Sequence, residues 1–401
     1  MSKLFTPIRI GAFDLDHRVV LAPLTRMRSE MPGNVPGAAM VEYYRQRATH
    51  GGLMIAEATF VSRQGNGGYG SPGIENNAQA AGWRSVVEAV HAKGAKIVLQ
   101  LWHVGRASHT ELQPNGGQPI APSVVESEVG ALLKAGYGHA SPPRAIETDE
   151  IPEIVAQYRR AAERAKSAGF DGIEVHAANG YLIDQFLQDG SNRRTDAYGG
   201  SIENRARFVL EVVDAVVGVW GADRVGVRVG PSNSFNDMRD SNPKALFSYV
   251  AAALGQRGIA YLHIIEPRVK GNTEVGDQTP VAAAMLKPIF GGAVIAAGGF
   301  DSLGAEAIVQ TGDADLVAFG RHFIANPDLP ERLRRHLPLN SYNRETFYYG
   351  GESGYLDYST YDDADGLVAF ASAPAQDGDH FGVAVLRSDR RPASGATSCC
   401  L

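Results

Sequence analysis

The chain has 401 residues, 44% apolar and 20% charged, which excludes a disordered polymer and gives material for one large domain or two ordinary ones. A formal net charge of −6 argues against a nucleic-acid or anionic-membrane surface. Two adjacent cysteines, Cys399 and Cys400, exclude a disulfide framework, and no apolar run approaches the roughly 20 residues of a membrane span.

The opening "MSKLFTPIRIGAFDLDHR" carries Asp14 and Asp16 and lacks the apolar core of a leader, so a cytoplasmic protein is expected, with an N-terminal β-hairpin in this segment. Strand-like runs follow at Val19–Ala22 and Leu53–Ala58. The run "AGWRSVVEAVHAKG" sets Trp83, Val86, Val87 and Val90 on one helical face and stops at Gly94. A third strand is expected at Lys96–Leu101. The Gly/Pro/Ser-rich stretch from about 104 to 147 is longer than a connection and reads as a lid. A helix then runs to Gly169, with Thr148 or Asp149 as its cap and Pro152 in its first turn. Further strands are expected at Gly172–His176, Val225–Val229, Tyr261–Ile265, Val294–Ala297 and Leu316–Phe319, with Pro243 and Pro327 at helix starts.

Eight nearly all-apolar strands alternating with helices predict an α/β fold, a single (β/α)8 TIM barrel with a lid insertion after strand three. A doubly wound open sheet is disfavoured because "PLTRMRS", and no glycine-rich fingerprint, follows the first strand. The barrel is assigned to residues 1–361 and a poorly ordered tail to 362–401. The terminal "SCCL" has Ser398 where a prenylation signal needs cysteine.

Barrel chemistry gathers at the carboxyl ends of the strands. Thr25, Gln100 and Arg228 stand at three such ends and suit the edge of a flat heterocycle, although Arg228 also suits a buried pair with Glu174. Gly298, Gly299, Gly320 and Arg321 follow the last two strands, where barrels bind phosphate. The stretch "EVHAANGYLIDQFL" ends its strand in His176, Asn179 and Tyr181. Taken singly, His176 also fits a core histidine, Tyr181 an apolar helix-start contact and Trp102 core packing. Arg193 and Arg194 read as a solvated turn. No metal-ligand spacing occurs, so no metal is expected.

The stretches "LAPLTRMRS", "GYGSPGI", "QLWHVGRASH", "GFDGIEVHAANGYLIDQFLQDGSNRRTDAYGGSIENRARF", "LVAFGRHFIANPDLPERL" and "TFYYGG" resemble the old yellow enzyme family, classical branch, over nearly all of residues 3–361. The resemblance implies an FMN-binding barrel reduced by NADPH or NADH. It implies hydride transfer from flavin N5 to the β-carbon of an α,β-unsaturated carbonyl or nitroalkene. An alternative is reduction of nitrate esters or nitroaromatics in the same pocket. Carried over by position, Pro23, Leu24, Thr25, Ala58, Gln100 and Arg228 resemble flavin contacts, and Gly298, Gly299, Gly320 and Arg321 the FMN phosphate site. His176 and Asn179 resemble the pair that grips the substrate oxygen, and Tyr181 the proton donor. Tyr69, Trp102 and Tyr348 resemble pocket walls. Ser359 departs from the proline usual in the family. The expected partner is a small molecule, neither nucleic acid nor membrane, bound by a monomer or homodimer.

Overall fold

The computed structural model describes residues 2–125, 128–267, 281–348 and 351–362. Two short strands, β1 (Ile8–Ile10) and β2 (Phe13–Leu15), form the N-terminal hairpin. The chain then enters the barrel at β3 (Val19–Leu21), continues through α1 (Ala38–Arg47) and returns at β4 (Leu53–Ile55). The expected second strand is split, because a short β5 (Thr59–Phe60) resumes pairing beyond Ala58.

Helix α2 (Asn77–His91) is capped by Asn76, whose side chain accepts from the Gln79 amide, and it buries the expected Trp83, Val86, Val87 and Val90 face. Strand β6 (Lys96–Trp102) leads into the insertion. There β7 (Ile120–Ala121) and β10 (Arg144–Ala145) pair at its base, and β8 (Gly130–Leu133) and β9 (Gly136–His139) form a hairpin. Helix α3 (Ile151–Ser167) is preceded by one 3₁₀ turn, Thr148–Glu150. The cap is neither Thr148 nor Asp149. Glu147 and Glu150 form a reciprocal capping box one turn earlier, because the 3₁₀ turn moves the free amides back.

The remaining barrel strands are β11 (Gly172–Ala177), β12 (Val225–Val229), β13 (Tyr261–Ile265), β14 (Ala293–Ala297) and β15 (Leu316–Phe319). They are joined by α4 (Leu182–Leu187), α5 (Ile202–Trp220), α6 (Pro243–Gln256), α7 (Ala283–Phe290) and α8 (Ser302–Thr311). Helices α9 (Arg321–Ala325) and α10 (Leu329–Arg335) follow. Asn242 caps α6 with Pro243 in its first position, as the sequence indicates. Pro327 lies ahead of the α10 cap, Asp328, and Pro330 takes the first-turn place.

All barrel pairings are parallel. The order β3-β4-β6-β11-β12-β13-β14-β15 closes when β15 pairs with β3. Helix and strand faces form one apolar core, and a smaller cluster of Ala58, Trp102, Val104, Ala107 and Val129 lies under the insertion. The run "SNRRTDAYGGSIENR" is structural. Asn192 donates to the Phe186 and Tyr198 carbonyls, and Ser201 caps α5. Arg194 is no solvated turn: its partly buried side chain donates to the Pro122 carbonyl and pairs with Asp196. The tail assigned from 362 onward lies outside the described residues from 363. No helix among the described residues is long and apolar enough to cross a membrane.

Candidate active site

The site follows from which barrel residues point inward. Alternation along β11 puts Glu174 and His176 on one face, and the register sets Glu174 opposite Gln100 of β6 and His176 opposite Arg228 of β12. Arg228 in turn is opposite His263 of β13. Gly226, two residues before Arg228, has no side chain; a Cβ there would lie 2.2 Å from the Tyr261 ring. The barrel interior is therefore polar where most barrels hold branched apolar residues.

Glu174 is fully buried, and its oxygens accept from Gln100 Nε2 at 2.7 Å and His263 Nδ1 at 2.9 Å. Burial alone would raise its pKa, but His263, Arg228 and the Gln100 bond outweigh that and hold the carboxyl below its usual range. Burial and the Arg228 charge keep His263 neutral, with its pKa lowered. Arg228 does not form the direct pair with Glu174 that the sequence also allowed. Arg228 is 8% exposed, and its Nε is buried without a partner. Gln100 Oε1 and His176 Nδ1 are likewise buried and unpartnered.

A buried cation beside an unsatisfied acceptor is costly unless a ligand completes it. The three residues that carry these atoms line one pocket of about 120 Å³ together with Pro23, Leu24, Thr25, Asn179, Tyr181, Gly298, Gly299, Gly320, Arg321 and Tyr348. The donor and acceptor set suits the pyrimidine edge of a flavin, which alternates carbonyl oxygens with an N–H.

At the strand end, Asn179 and Gly180 take left-handed backbone, φ 59° and 71°. Asp184 Oδ2 accepts from the Gly180 amide at 2.8 Å, and a Cβ on Gly180 would collide with Asn236 and Met238. Burial raises the Asp184 pKa to about 7. The tight turn sets Tyr181 as the cap of α4, beside both His176 and Trp102. The Tyr181 ring meets His176 edge-on at 5.1 Å and Trp102 edge-on at 5.1 Å. Burial first, then Arg228 and His263, hold the His176 pKa well below its usual value, so the ring is neutral.

The strand-one segment is tied from behind. Glu57, fully buried with its pKa raised to about 7 by burial, accepts from the Arg26 amide at 3.1 Å, next to Thr25. The Arg26 guanidinium donates to the Phe347 and Gly354 carbonyls, which pins the C-terminal segment carrying Tyr348. Across the pocket, Gly298 and Gly299 have φ 135° and 66°, a bare backbone cradle. Arg321 beside it donates to the Tyr342 hydroxyl at 3.2 Å and has no ion pair among the described residues.

Three expected residues stand apart from that lining. Ala58 and Trp102 belong to the buried cluster under the insertion, where Trp102, 2% exposed, packs edge-on against Tyr181. Tyr69 lines a neighbouring hollow beside Arg63 and Lys134. Conversely, Met27, Leu132, Asn233, Phe235, Phe300 and His322 line the pocket without having been singled out. Leu132 arrives on the insertion hairpin, held by its carbonyl accepting from the Tyr69 amide. No cluster of potential metal ligands occurs among the described residues.

The chain belongs to the NADH:flavin oxidoreductase / NADH oxidase family, which it matches over residues 3–340. It is an oxidoreductase barrel with FMN as cofactor and a nicotinamide as reductant. It is 47% identical over 369 residues to 12-oxophytodienoate reductase 1 of Oryza sativa subsp. japonica, covering 90% of this chain and 94% of that one. It is 48% identical over 383 residues to flavin oxidoreductase hxnT of Emericella nidulans, covering 89% and 97%. Among solved structures it superposes on morphinone reductase in complex with tetrahydroNAD, with a TM-score of 0.84 and 50% identity over 90% of this chain and 98% of that one.

Proposed function

We propose that this chain is an ene-reductase that takes electrons from NADPH or NADH and reduces activated alkenes, α,β-unsaturated carbonyls or nitroalkenes. The observation that carries this reading is that His176, Asn179 and Tyr181 line the same pocket as Gln100 and Arg228, whose Oε1 and Nε are buried without a partner. Relatives are named as reductases of 12-oxophytodienoate and of morphinone.

Bound FMN supplies the hydride for the alkene β-carbon. Gln100 and Arg228 would hold its polar edge, with Thr25, Pro23 and Leu24 lining the same pocket after the first strand. Gly298, Gly299 and Gly320 offer backbone amides to a phosphate, and Arg321 adds a charged donor. His176, neutral at working pH, and Asn179 donate to the carbonyl or nitro oxygen on which negative charge grows. Loss of one such donor costs on the order of 10²–10³ in rate. Tyr181, braced edge-on by His176 and Trp102, gives the proton to the α-carbon as general acid. Leu132, Met27 and Phe235 line the pocket with apolar atoms that exclude water.

The test is an anaerobic panel. Protein bleached by NADPH is mixed with 2-cyclohexenone, a nitroalkene, a nitroaromatic and a nitrate ester. Fast recolouring with the first two and saturated product identify the ene-reductase. Recolouring only with nitroaromatic or nitrate ester, with nitrite release from the ester, would replace it with the nitro-reductase reading.

A further inference from the structure

The pocket's contacts leave one buried group without a task. Glu174 is 0% exposed, its carboxyl is held below its usual range, and it bonds Gln100 of β6 and His263 of β13 within the polar interior. Its neighbours account for it from every side. Gln100 is opposite on β6, Arg228 and Gly226 are on β12, and His263 and Tyr261 are on β13. The Gln100 amide has two ends, and a primary amide can present either to a ligand. Here one Nε2–H is given to Glu174 at 2.7 Å, and Oε1 is left unpartnered on a residue that lines the pocket. A carboxylate accepts only, so it can hold Nε2 and cannot hold Oε1; the choice of end is made by Glu174. The same carboxylate accepts from His263 Nδ1 at 2.9 Å and takes no bond from Arg228, whose cation is left for a ligand.

We propose that Glu174 is a positioning residue for the cofactor. Its carboxylate fixes the Gln100 amide with Oε1 toward FMN, and its charge, set against that of Arg228, holds the potential of the bound flavin down. This rests on Gln100 and Arg228 contacting FMN as read above, but not on which alkene is reduced. A fixed negative charge close to a redox centre disfavours added electrons, and the interior screens it far less than water would.

The experiment uses the full chain, stripped of FMN and reloaded. FMN affinity is read by quenching of flavin fluorescence, the midpoint potential by dye equilibration, and folding by the melting temperature of the stripped protein. Glu174→Gln removes the charge and the compulsion on the amide. The FMN dissociation constant is expected to rise on the order of tenfold, the scale of one charge-assisted hydrogen bond, and the potential to move positive. Glu174→Asp keeps the charge but shortens the reach to Gln100, so FMN should weaken while the potential stays near that of the unsubstituted chain.

A Glu174→Gln protein that melts normally and keeps both affinity and potential overturns the proposal. So does weaker binding with an unmoved potential, which is what a merely structural role would give. If Glu174→Gln fails to fold, Glu174→Asp decides, and unchanged FMN affinity in it overturns the positioning role. Because the readouts are FMN binding and potential, failure of the alkene panel leaves this test intact. An unsubstituted chain that bound no FMN would instead sink the functional reading.

Discussion

Asn233 donates its side-chain Nδ2–H to Asn179 Oδ1 at 2.6 Å. With its oxygen held by Asn233, Asn179 keeps its Nδ2 donor end for the pocket, the end that the proposed grip on a substrate oxygen would use. Asn236 Nδ2 adds a bond to the Asn179 carbonyl at 2.9 Å and holds the left-handed backbone. Asn233→Ala should leave reduction by NADPH unchanged and lower kcat/KM for 2-cyclohexenone about fivefold to tenfold, the scale of one lost orienting hydrogen bond. Unchanged kcat/KM would mean that Asn179 is oriented by its backbone alone.

Tyr181→Phe keeps the ring that Trp102 and His176 brace edge-on and removes only the hydroxyl. The step in which enone recolours the reduced protein should slow on the order of 10²–10⁴, the usual contribution of a general acid. Bleaching by NADPH should not change. Stopped-flow mixing separates the two half-reactions, and equal rates in both would remove Tyr181 from proton transfer. In Trp102→Phe the edge contact shrinks without a lost proton, so a smaller effect confined to the same step is expected.

Most of the architecture is legible in the sequence because burial on both faces makes parallel strands apolar throughout, and each of the eight expected runs is a barrel strand. The site is legible where residues follow a strand end, as His176, Asn179 and Arg321 do. It is less legible where a residue is placed by register or by a distant loop. His263 is inward because β13 pairs with β12 at Arg228, and the alternation in "YLHII" was the available signal. Asn233 and Leu132 reach the pocket on loops whose path no local pattern encodes. The place of Trp102 is not legible locally, because a strand-end aromatic can face the pocket or back its neighbour, and it is the edge-on packing against Tyr181 that fixes its ring. Arg194 was misplaced because a double-arginine turn looks solvated until Asp196 and the Pro122 carbonyl close around it.

Asp184 gives the turn a pH signature. Its pKa is raised by burial from 3.8 to about 7, so the folded state holds a proton that the unfolded state has lost. Stability from the neutral form is therefore full below about pH 4 and is lost as pH rises through about 7. Asp184→Asn cannot titrate. The stability of that variant relative to the unsubstituted protein should climb between about pH 4 and 7, by up to about 1.4 kcal/mol per pH unit, and level off above. Melting temperatures of both proteins across pH 5 to 8.5 read this directly. A constant difference would mean that the Gly180 and Gln188 donors, which bond Asp184 at 2.8 Å each, keep it ionised throughout.

Gly298 lies at φ 135°, a conformation that L side chains rarely adopt, and a Cβ there would lie 3.0 Å from the Glu266 carbonyl oxygen. Gly298→Ala must therefore rotate the peptide or push β13 away, and either change turns an amide out of the cradle that faces Arg321. Arg321→Ala leaves the cradle intact and removes the charge. If this corner holds the FMN phosphate, both variants should bind FMN about tenfold or more weakly. They should differ with riboflavin, which lacks the phosphate: Arg321→Ala should bind it as the unsubstituted chain does, and Gly298→Ala somewhat less well because the strand end itself has moved. Competition by inorganic phosphate gives the third reading. It should displace FMN measurably from the unsubstituted chain and far less from Arg321→Ala, where the guanidinium that discriminates phosphate from water is gone. Equal losses for FMN and riboflavin in Arg321→Ala would place the phosphate elsewhere and leave Arg321 as a partner of Tyr342 alone.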